Sequence, residues 1–181
     1  MSLRPMQFEV FKGMGGKFGS VKFAYNPPHY YCSNVKCRTK NYHTNEQVCS
    51  CSNVTMELRE GNVFVDIASA IGPNKYDWEN KIVMSLSVTD LTKLMVGVRT
   101  GEAVKLLHDP GIKTELAGKR QKIFQFSSPQ GLEKGGIITI SEKNDMNDSE
   151  PKHHTVPLSG DECVTLGVLI QCIIPKCLAW A

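Results

Sequence analysis

The amino-acid sequence predicts an α+β fold built from two four-stranded antiparallel β-sheets, each followed by one α-helix. Short segments rich in aromatic and β-branched residues alternate with Gly, Pro and Asn turn signals. The order of several strands followed by a capped helix occurs twice along the chain. With 181 residues and a hydrophobic content of 41%, the chain is long enough to bury a core as a single domain, residues 1–181.

The first half of the chain reads as strands that lead into a helix. Gly13-Met14-Gly15-Gly16 and Asn26-Pro27-Pro28 are turn signals, and Glu60-Gly61-Asn62 predicts a hairpin between the strands on either side of it. The Cys- and Asn-rich stretch of residues 29–53 is long for a simple connection, which predicts a flexible insertion. The predicted strands are Gln7–Lys12, Phe18–Tyr25, Val54–Arg59, Val63–Ala68 and Trp78–Ser85, and the helix is Val88–Val98.

The second half repeats this order. Asp109-Pro110-Gly111 ends its first strand, and an acidic, Asn-rich loop over residues 142–153 separates its last two strands. Its helix is expected to stop before Pro175, because proline lacks the N–H that a helix interior needs. The predicted strands are Ala103–His108, Lys122–Ser127, Gly136–Ser141 and His154–Pro157, and the helix is Gly160–Ile173.

The two helices are predicted to begin in the same way. Ser87 and Ser159 each precede an acidic residue by three positions, Asp90 and Glu162. This is the spacing of a capping box, in which hydroxyl and carboxylate each accept from an otherwise unpaired backbone N–H. The second helix is apolar nearly all round, which predicts neighbours on several sides. Self-association through the helices and burial within one monomer are both open.

Charge is distributed unevenly along a chain whose net charge is +3. Residues 1–45 carry seven cationic side chains and one carboxylate, whereas residues 129–181 carry four cations and seven carboxylates. Such an asymmetry favours a basic face for a polyanion such as nucleic acid.

The sequence holds seven cysteines, an odd number that excludes a complete set of intrachain disulfides and favours a reducing compartment. The residues with the chemistry of zinc ligands are Cys32, Cys37, Cys49, Cys51, His29 and His43. The cysteine spacings, C-x₄-C and C-x-C, differ from the paired C-x₂-C of ordinary structural zinc sites. We therefore expect thiols without a metal in this insertion, and no cofactor.

Signals for catalysis or membrane insertion are missing from the sequence. Neither G-x-S-x-G nor H-E-x-x-H occurs, and Gly13–Lys17 lacks the spacing of a phosphate-binding loop. No window holds the roughly 18 continuous apolar residues that a membrane span needs. Met1–Val10 carries Gln7 and Glu9 where a secretory signal has its apolar core. The chain is predicted not to be an enzyme and not to contact a membrane.

One predicted strand combines cations with rings. Arg120, Lys122, Phe124 and Phe126 share one face, because side chains alternate along a strand. Cations could reach phosphates while the rings stack on bases. Alternatively, the rings face the core, and Ile123 and Gln125 point outward. The sequence leaves both readings open.

An ordered series of motifs runs along the chain: Tyr76-Asp77-Trp78, Ser85-Leu86-Ser87-Val88-Thr89-Asp90, Leu107-His108-Asp109-Pro110 and Pro175 through Trp180. This series resembles the Whirly family. The plant proteins of that family carry Y-D-W, K-x₂-F-x-L-S-x-T-E, F-H-D-P and a terminal P-x-x-L-G-W at similar positions. Gly16–Val21 resembles the family's K-G-K-A-A-L-S strand without an intact G-K-A-A core. With that departure and the insertion, the chain resembles most the mitochondrial guide-RNA-binding proteins of trypanosomatids, which share the Whirly fold.

The resemblance implies a mitochondrial protein that binds guide RNA through phosphate contacts and anneals it to messenger RNA during RNA editing. It further implies a heterotetramer of two related chains, or a homotetramer, held together through its helices. Tyr76 and Trp78 are expected to pack at a corner between sheet and helix. The candidate RNA-binding residues are Lys12, Lys17, Lys22, Lys36, Arg38, Lys40, Lys105, Lys119, Arg120 and Lys122.

Two alternatives remain at this point. The chain could be a single-stranded-DNA-binding regulator of the plant Whirly type. It could also be a structural tetramer subunit that binds protein partners through the Cys-rich insertion.

Overall fold

The computed structural model describes residues 7–13, 18–34, 37, 39–41, 49–52, 54–109, 112, 117–129, 132–144 and 150–179. The helices within them are α1 (Val88–Thr100) and α2 (Gly160–Cys177). The strands are β1 (Gln7–Phe11), β2 (Gly19–Asn26), β3 (His29–Cys32), β4 (Lys40–Asn41), β5 (Met56–Arg59), β6 (Asn62–Gly72), β7 (Lys75–Tyr76), β8 (Ile82–Leu86), β9 (Val104–His108), β10 (Arg120–Ser127), β11 (Gly136–Asn144) and β12 (Lys152–Leu158). None of the helices in this part of the chain is long and apolar enough to cross a membrane.

The described strands form three antiparallel sheets. The first sheet has the order β1-β2-β6, and both β8 and the two-residue β7 pair with β6. The second sheet has the order β12-β11-β10-β9, and the third the order β4-β3-β5. Mixed α+β content with a helix after each of the two larger sheets is confirmed. The prediction of two four-stranded sheets was inexact, because the first sheet gains β7 and the insertion contributes a sheet of its own.

The predicted hairpin at Glu60-Gly61-Asn62 is wrong. β5 pairs with β3, not with β6, so the chain crosses here from the third sheet to the first. The Gly61 N–H donates to the Cys177 carbonyl at 2.9 Å. A Cβ at Gly61 would lie 2.9 Å from the Asn26 carbonyl oxygen and 3.0 Å from the Cys177 Cα. The glycine thus permits a close crossing against the end of α2, where the sequence indicated a turn.

One hydrophobic core joins the two larger sheets and both helices. Its members include Val65 and Ile67 of β6, Phe124 of β10, Leu94 of α1 and Leu166 of α2, each 0–1% exposed. The apolar side chains of each sheet alternate with outward-facing ones, so each sheet has one covered and one open face. The helices pack against each other closely enough that a Cβ at Gly167 would meet a Val98 methyl at 3.3 Å. Burial within the monomer therefore accounts for one face of each helix.

Both helix starts follow the capping prediction. Asp90 accepts from the Ser87 N–H at 3.0 Å, and Glu162 accepts from the Ser159 N–H at 2.7 Å. The predicted end of α2 before Pro175 is wrong, because the helix continues through Pro175 to Cys177. The continuation buries Cys177 completely against the core, and proline in the last turn interrupts little of the helix.

Candidate nucleic-acid interface

The open face of the first sheet carries a row of alternating charges. Val21 and Phe23 of β2 face the core, so Lys22 between them faces outward. Strand register places Lys22 between Glu9 and Asp66. Lys81 forms an ion pair with Asp66. The Asp66 carboxylate positions the Lys81 ammonium group, and the two carboxylates of the row reduce the net charge there.

Aromatic side chains lie beside this row. The ring centroids of Phe11 and Tyr76 are 5.3 Å apart, and those of Tyr76 and Trp78 are 6.4 Å apart. Phe11 is 54% exposed, whereas Tyr76 and Trp78 are half-buried. A Cβ at Gly13 would lie 2.8 Å from the Tyr76 hydroxyl, so only glycine fits against this ring. We call Phe11, Tyr76 and Trp78 the ring cluster. It lies on the first sheet, and Tyr76 and Trp78 pack against each other there; their expected position at a sheet–helix corner stays a prediction.

Further exposed rings border the cluster. Phe18 is 52% exposed and adopts a left-handed backbone conformation, with φ of 67°. Its carbonyl accepts from the Ala70 N–H at 2.9 Å, which fixes it beside β6. Phe64, 39% exposed, lies on the open face further along β6. Exposed aromatic faces next to lysines are what single-stranded nucleic acids need for base stacking and phosphate contact.

Two polar atoms near the cluster are buried without a hydrogen-bond partner among the described residues, the Ser20 Oγ and the Tyr76 Oη. Ser20 pairs with Phe11 across the sheet and is fully buried. The Tyr76 ring is therefore held by packing alone, since its hydroxyl makes no bond there.

The open face of the second sheet mixes polar side chains with exposed apolar ones such as Leu107 and Ile137 and carries few charges. Register aligns Lys105 with Gln125, Gln125 with Thr139, and Thr139 with Thr155. The two threonine hydroxyls are 3.0 Å apart. Lys105 is the exposed cation of this row.

In β10, the strand predicted to carry cations and rings on one face, the aromatic rings point toward the core. Phe124 and Phe126 are 0% and 1% exposed, so the reading in which they stack on bases is wrong and Gln125 is exposed instead. The Lys122 ammonium donates to the Val83 carbonyl at 2.7 Å and lies 3.2 Å from a Glu142 carboxylate oxygen. Lys122 therefore bridges the two larger sheets at a cleft between them.

The predicted cations lie in several places, not on one patch. Lys12 forms an ion pair with Glu162 at 2.9 Å, at the start of α2. Lys119 and Arg120 are exposed where β10 begins. Lys40 is exposed on the third sheet. Lys17, Lys36 and Arg38 lie outside the described residues. The sequence analysis did not select Lys81 or the exposed rings as binding residues. The available signals were the alternation of side chains around Lys22 and the aromatic content of the strands.

Histidines hold elements together. The His108 Nε2 lies 3.0 Å from an Asp90 carboxylate oxygen, which joins β9 to the start of α1. Burial raises the pKa of Asp90, but hydrogen bonds from Ser87 and the charge of His108 outweigh it and hold that pKa below its usual range. The His154 Nδ1 lies 2.6 Å from the Ser69 Oγ, which connects the second sheet to the first.

Four cysteines of the insertion lie together. The sulfur atoms of Cys32, Cys37, Cys49 and Cys51 are all within 4.8 Å of one another. The four residues are the cysteines that the sequence analysis named for their zinc-ligand chemistry, and their expected lack of a metal stays a prediction. His29 is buried with its Nδ1 3.2 Å from the Pro27 carbonyl oxygen, and His43 is outside the described residues.

Comparison with known proteins identifies the family to which this scaffold belongs. A family model described as the Whirly transcription factor matches residues 40–169. The chain belongs to the Whirly family. It is 26% identical over 122 residues to the mitochondrial single-stranded DNA-binding protein WHY2 of Arabidopsis thaliana, and covers 50% of it with 67% of its own length. It is 27% identical over 123 residues to chloroplastic WHY1 of Solanum tuberosum, with 67% of this chain and 43% of that protein covered.

Solved structures share the fold. The crystal structure of WHY1 from Arabidopsis thaliana superposes with a TM-score of 0.74 at 20% identity, over 99% of this chain and 89% of that chain. The structure of the plant transcriptional regulator PBF-2 gives the same TM-score and identity, over 99% and 86%. The chain spans about half the length of the curated relatives it matches. Those relatives are named as single-stranded DNA-binding proteins, and these names favour the single-stranded-DNA alternative over guide-RNA annealing.

Proposed function

We propose that this protein binds single-stranded DNA on the open face of its first sheet, with low sequence preference. The observation that carries the proposal is the ring cluster beside Lys22, in which Phe11 is exposed and Tyr76 and Trp78 are half-buried. Every base has an aromatic face, so stacking is tolerant of sequence, and lysines hold phosphates regardless of the base. The names of the relatives, as single-stranded-DNA-binding proteins, support DNA as the strand.

The path of the strand follows from the placement of rings and cations. Bases stack on Phe11 and Trp78 at one end of the sheet, while phosphates follow Lys22 and Lys81. The strand then reaches the cleft where Lys122 bridges the sheets. Lys119 and Arg120, exposed where β10 begins, extend the cationic path.

Two further properties belong to the same proposal. An organellar location is supported by relatives named mitochondrial and chloroplastic. Assembly of several copies through the helices is supported by exposed valines on those helices, Val96, Val164 and Val168.

Fluorescence anisotropy tests the proposal. A labelled single-stranded DNA, the RNA of the same sequence and the duplex are titrated over a salt series. We expect the single-stranded DNA to bind most tightly, with affinity falling steeply with salt because phosphate binding releases counterions. Tighter binding to RNA, with accelerated annealing of complementary RNAs, would overturn the DNA assignment. Failure to bind either strand at low salt would overturn the proposal as a whole.

Variants locate the site. Phe11→Ala removes an exposed ring that stacks on a base, so we expect about a 5- to 100-fold loss of affinity, since stacking contributes roughly 1–3 kcal/mol per base. Lys22→Ala is expected to weaken all sequences alike and to reduce the salt slope by about 1. Lys93→Ala is the matched control for the first sheet, because Lys93 is exposed on α1, which packs on the covered side of the sheets. Equal losses for Lys22→Ala and Lys93→Ala would contradict the assigned face.

A further inference from the structure

The insertion between β2 and β6 forms a small sheet with little core of its own. Of the residues in β3, β4 and β5, only His29 and Cys32 are buried. A three-stranded sheet of two- to four-residue strands cannot be held by so little apolar burial, and small units of this kind need a disulfide or a metal. The four cysteines that lie together are at the end of this sheet.

We propose that Cys32, Cys37, Cys49 and Cys51 bind one Zn²⁺ as a tetrahedral structural site. Zinc–sulfur bonds of about 2.3 Å place tetrahedral sulfurs about 3.8 Å apart. The four sulfur atoms already lie within 4.8 Å of one another, so closing on a zinc ion needs only small side-chain movements. Four thiolates without a histidine suit zinc among the divalent metals.

The backbone around the site is arranged by local hydrogen bonds. The Cys37 N–H donates to the Asn34 carbonyl at 2.9 Å, which turns the chain between the first two ligands. The Ser33 N–H donates to the Thr55 carbonyl at 2.9 Å, and the Thr55 N–H donates to the Ser33 Oγ at 3.1 Å. These bonds tie the first ligand pair to the strand that follows the second pair. The irregular spacing C-x₄-C and C-x-C is thereby brought to one point.

Polar groups around the sulfurs suit the bound form. The Asn34 side-chain N–H donates to the Cys51 sulfur at 3.8 Å, and the Thr39 hydroxyl oxygen lies 3.3 Å from the Cys37 sulfur. Such contacts orient ligands and stabilise thiolates. Four thiolates and one zinc ion carry a net charge of −2. Lys40 and Arg59 line the adjoining cleft together with Cys32 and Cys37, which offsets that charge.

The zinc ion would also stabilise the strands next to the cysteines, β3 and β5. Arg59 stacks over the Tyr31 ring at 4.4 Å, and the Tyr31 hydroxyl donates to Glu57 at 2.7 Å. These residues lie on β3 and β5, whose pairing leads directly from the cysteines. Zinc binding releases the thiol protons of the cysteine ligands, so metal affinity falls as pH falls.

Metal analysis of the full chain tests the proposal directly. Protein purified under reducing conditions without chelator is expected to hold about one zinc per chain by inductively coupled plasma mass spectrometry. Replacement of zinc by cobalt is expected to give the visible bands of a tetrahedral cobalt–thiolate centre. Less than a tenth of an equivalent of zinc, with no cobalt spectrum, would overturn the proposal. A mass that corresponds to two disulfides in protein prepared without reductant would also overturn it.

Variants assign the ligands. Cys37→Ser and Cys51→Ser are each expected to lose at least nine-tenths of the bound zinc, whereas Cys172→Ser, at an exposed cysteine of α2, is expected to retain it. The far-ultraviolet spectrum, dominated by the two larger sheets and the helices, reports whether each variant folds. Zinc retained in both ligand variants would overturn the ligand set. The metal content does not depend on nucleic-acid binding, so this test and the anisotropy test fail separately.

Discussion

Gly136 is the position where β11 passes closest to a buried ring. A Cβ there would lie 2.6 Å and 2.9 Å from two carbon atoms of the Phe126 ring and 3.2 Å from the Cys163 sulfur. The ring is 1% exposed and has no free space to retreat into. Gly136→Ala is therefore expected to lower the free energy of unfolding by about 1–3 kcal/mol, the usual cost of overpacking a core. Urea denaturation measures it.

Gly72 provides the control at the same scale. A Cβ there would have the Lys75 Cβ at 4.0 Å as its nearest neighbour, which is an ordinary contact. Gly72→Ala is expected to leave stability within about 0.5 kcal/mol, as for most surface substitutions. Equal destabilisation by the two alanines would mean that the loss of glycine flexibility, not the clash with Phe126, decides both.

The alternation of side chains along a strand explains which predictions from the sequence were correct. Alternation placed Lys122, Phe124 and Phe126 on one face of a strand, as predicted, but it does not say which face is buried. The packing of both larger sheets on one core turned the rings inward. Lys122 shares that face and lies at the margin of the core, where it bonds to Val83 and Glu142.

At the scale of elements, the start of α1 is linked to pH through Asp90. Its carboxylate accepts from Ser87 and contacts His108, and its pKa lies below the usual range. A carboxyl with a depressed pKa in the folded state contributes stability above its unfolded pKa of about 4 and loses that contribution as pH falls through the folded value. Asp90→Asn is expected to lower stability by about 1 kcal/mol at neutral pH and by progressively less below about pH 4. Urea denaturation over that pH range measures the convergence.

Glu133→Gln is the matched control for this pH series. Glu133 is exposed on a short 3-10 helix and forms no ion pair with another described residue. Its stability curve is expected to run parallel to that of the wild type. The quantity compared is the free energy of unfolding of the wild type minus that of Asp90→Asn. If this difference stayed constant from neutral pH into the acid range, the charge of the Asp90 carboxylate would contribute nothing to stability.

Local signals predicted elements well, and non-local pairing was beyond them. The Ser-x-x-Asp and Ser-x-x-Glu spacings located both helix starts, because a capping box involves only residues in one turn. The pairing of β5 with β3 could not be read from Glu60-Gly61-Asn62, since it depends on a segment about thirty residues earlier. The sequence named Cys32, Cys37, Cys49 and Cys51 for their zinc-ligand chemistry but could not show that their sulfur atoms lie together, because that depends on the pairing of β3 and β5.

At the scale of the whole molecule, the uneven charge along the chain is partly neutralised by folding. Lys12 from the cationic first quarter pairs with Glu162 of the acidic last quarter, and Lys122 pairs with Glu142. Exposed cations remain at sheet faces and strand ends, as with Lys105 and Arg120, and also on the helices, as with Lys93. Net charge in a sequence segment therefore indicates the class of ligand better than it indicates the binding residues.

The helices present a second surface on the scale of the whole molecule. Val164 and Val168 are 65% and 56% exposed and lie one turn apart on α2, on the side away from the core. Arg99 of α1 donates to the Gln171 side chain at 3.0 Å, which fixes the two helices as one surface. If this surface joins copies of the chain, charge placed on it must oppose assembly.

The variant Val164→Asp with Val168→Asp is therefore expected to lower the mass measured by multi-angle light scattering to that of a smaller species. Val164→Thr with Val168→Thr is the control, because threonine keeps the shape of valine without adding charge. The threonine pair is expected to assemble like the wild type, and both variants are expected to melt within a few degrees of it, since these side chains lie outside the core. If the wild type is monomeric at micromolar concentration, the chain does not assemble through this surface. If the aspartate variant keeps the mass of the wild type, the interface lies elsewhere. If the aspartate variant is monomeric and still binds single-stranded DNA at low salt, one copy of the first sheet is a complete binding unit, and assembly adds affinity by presenting several such faces to one strand.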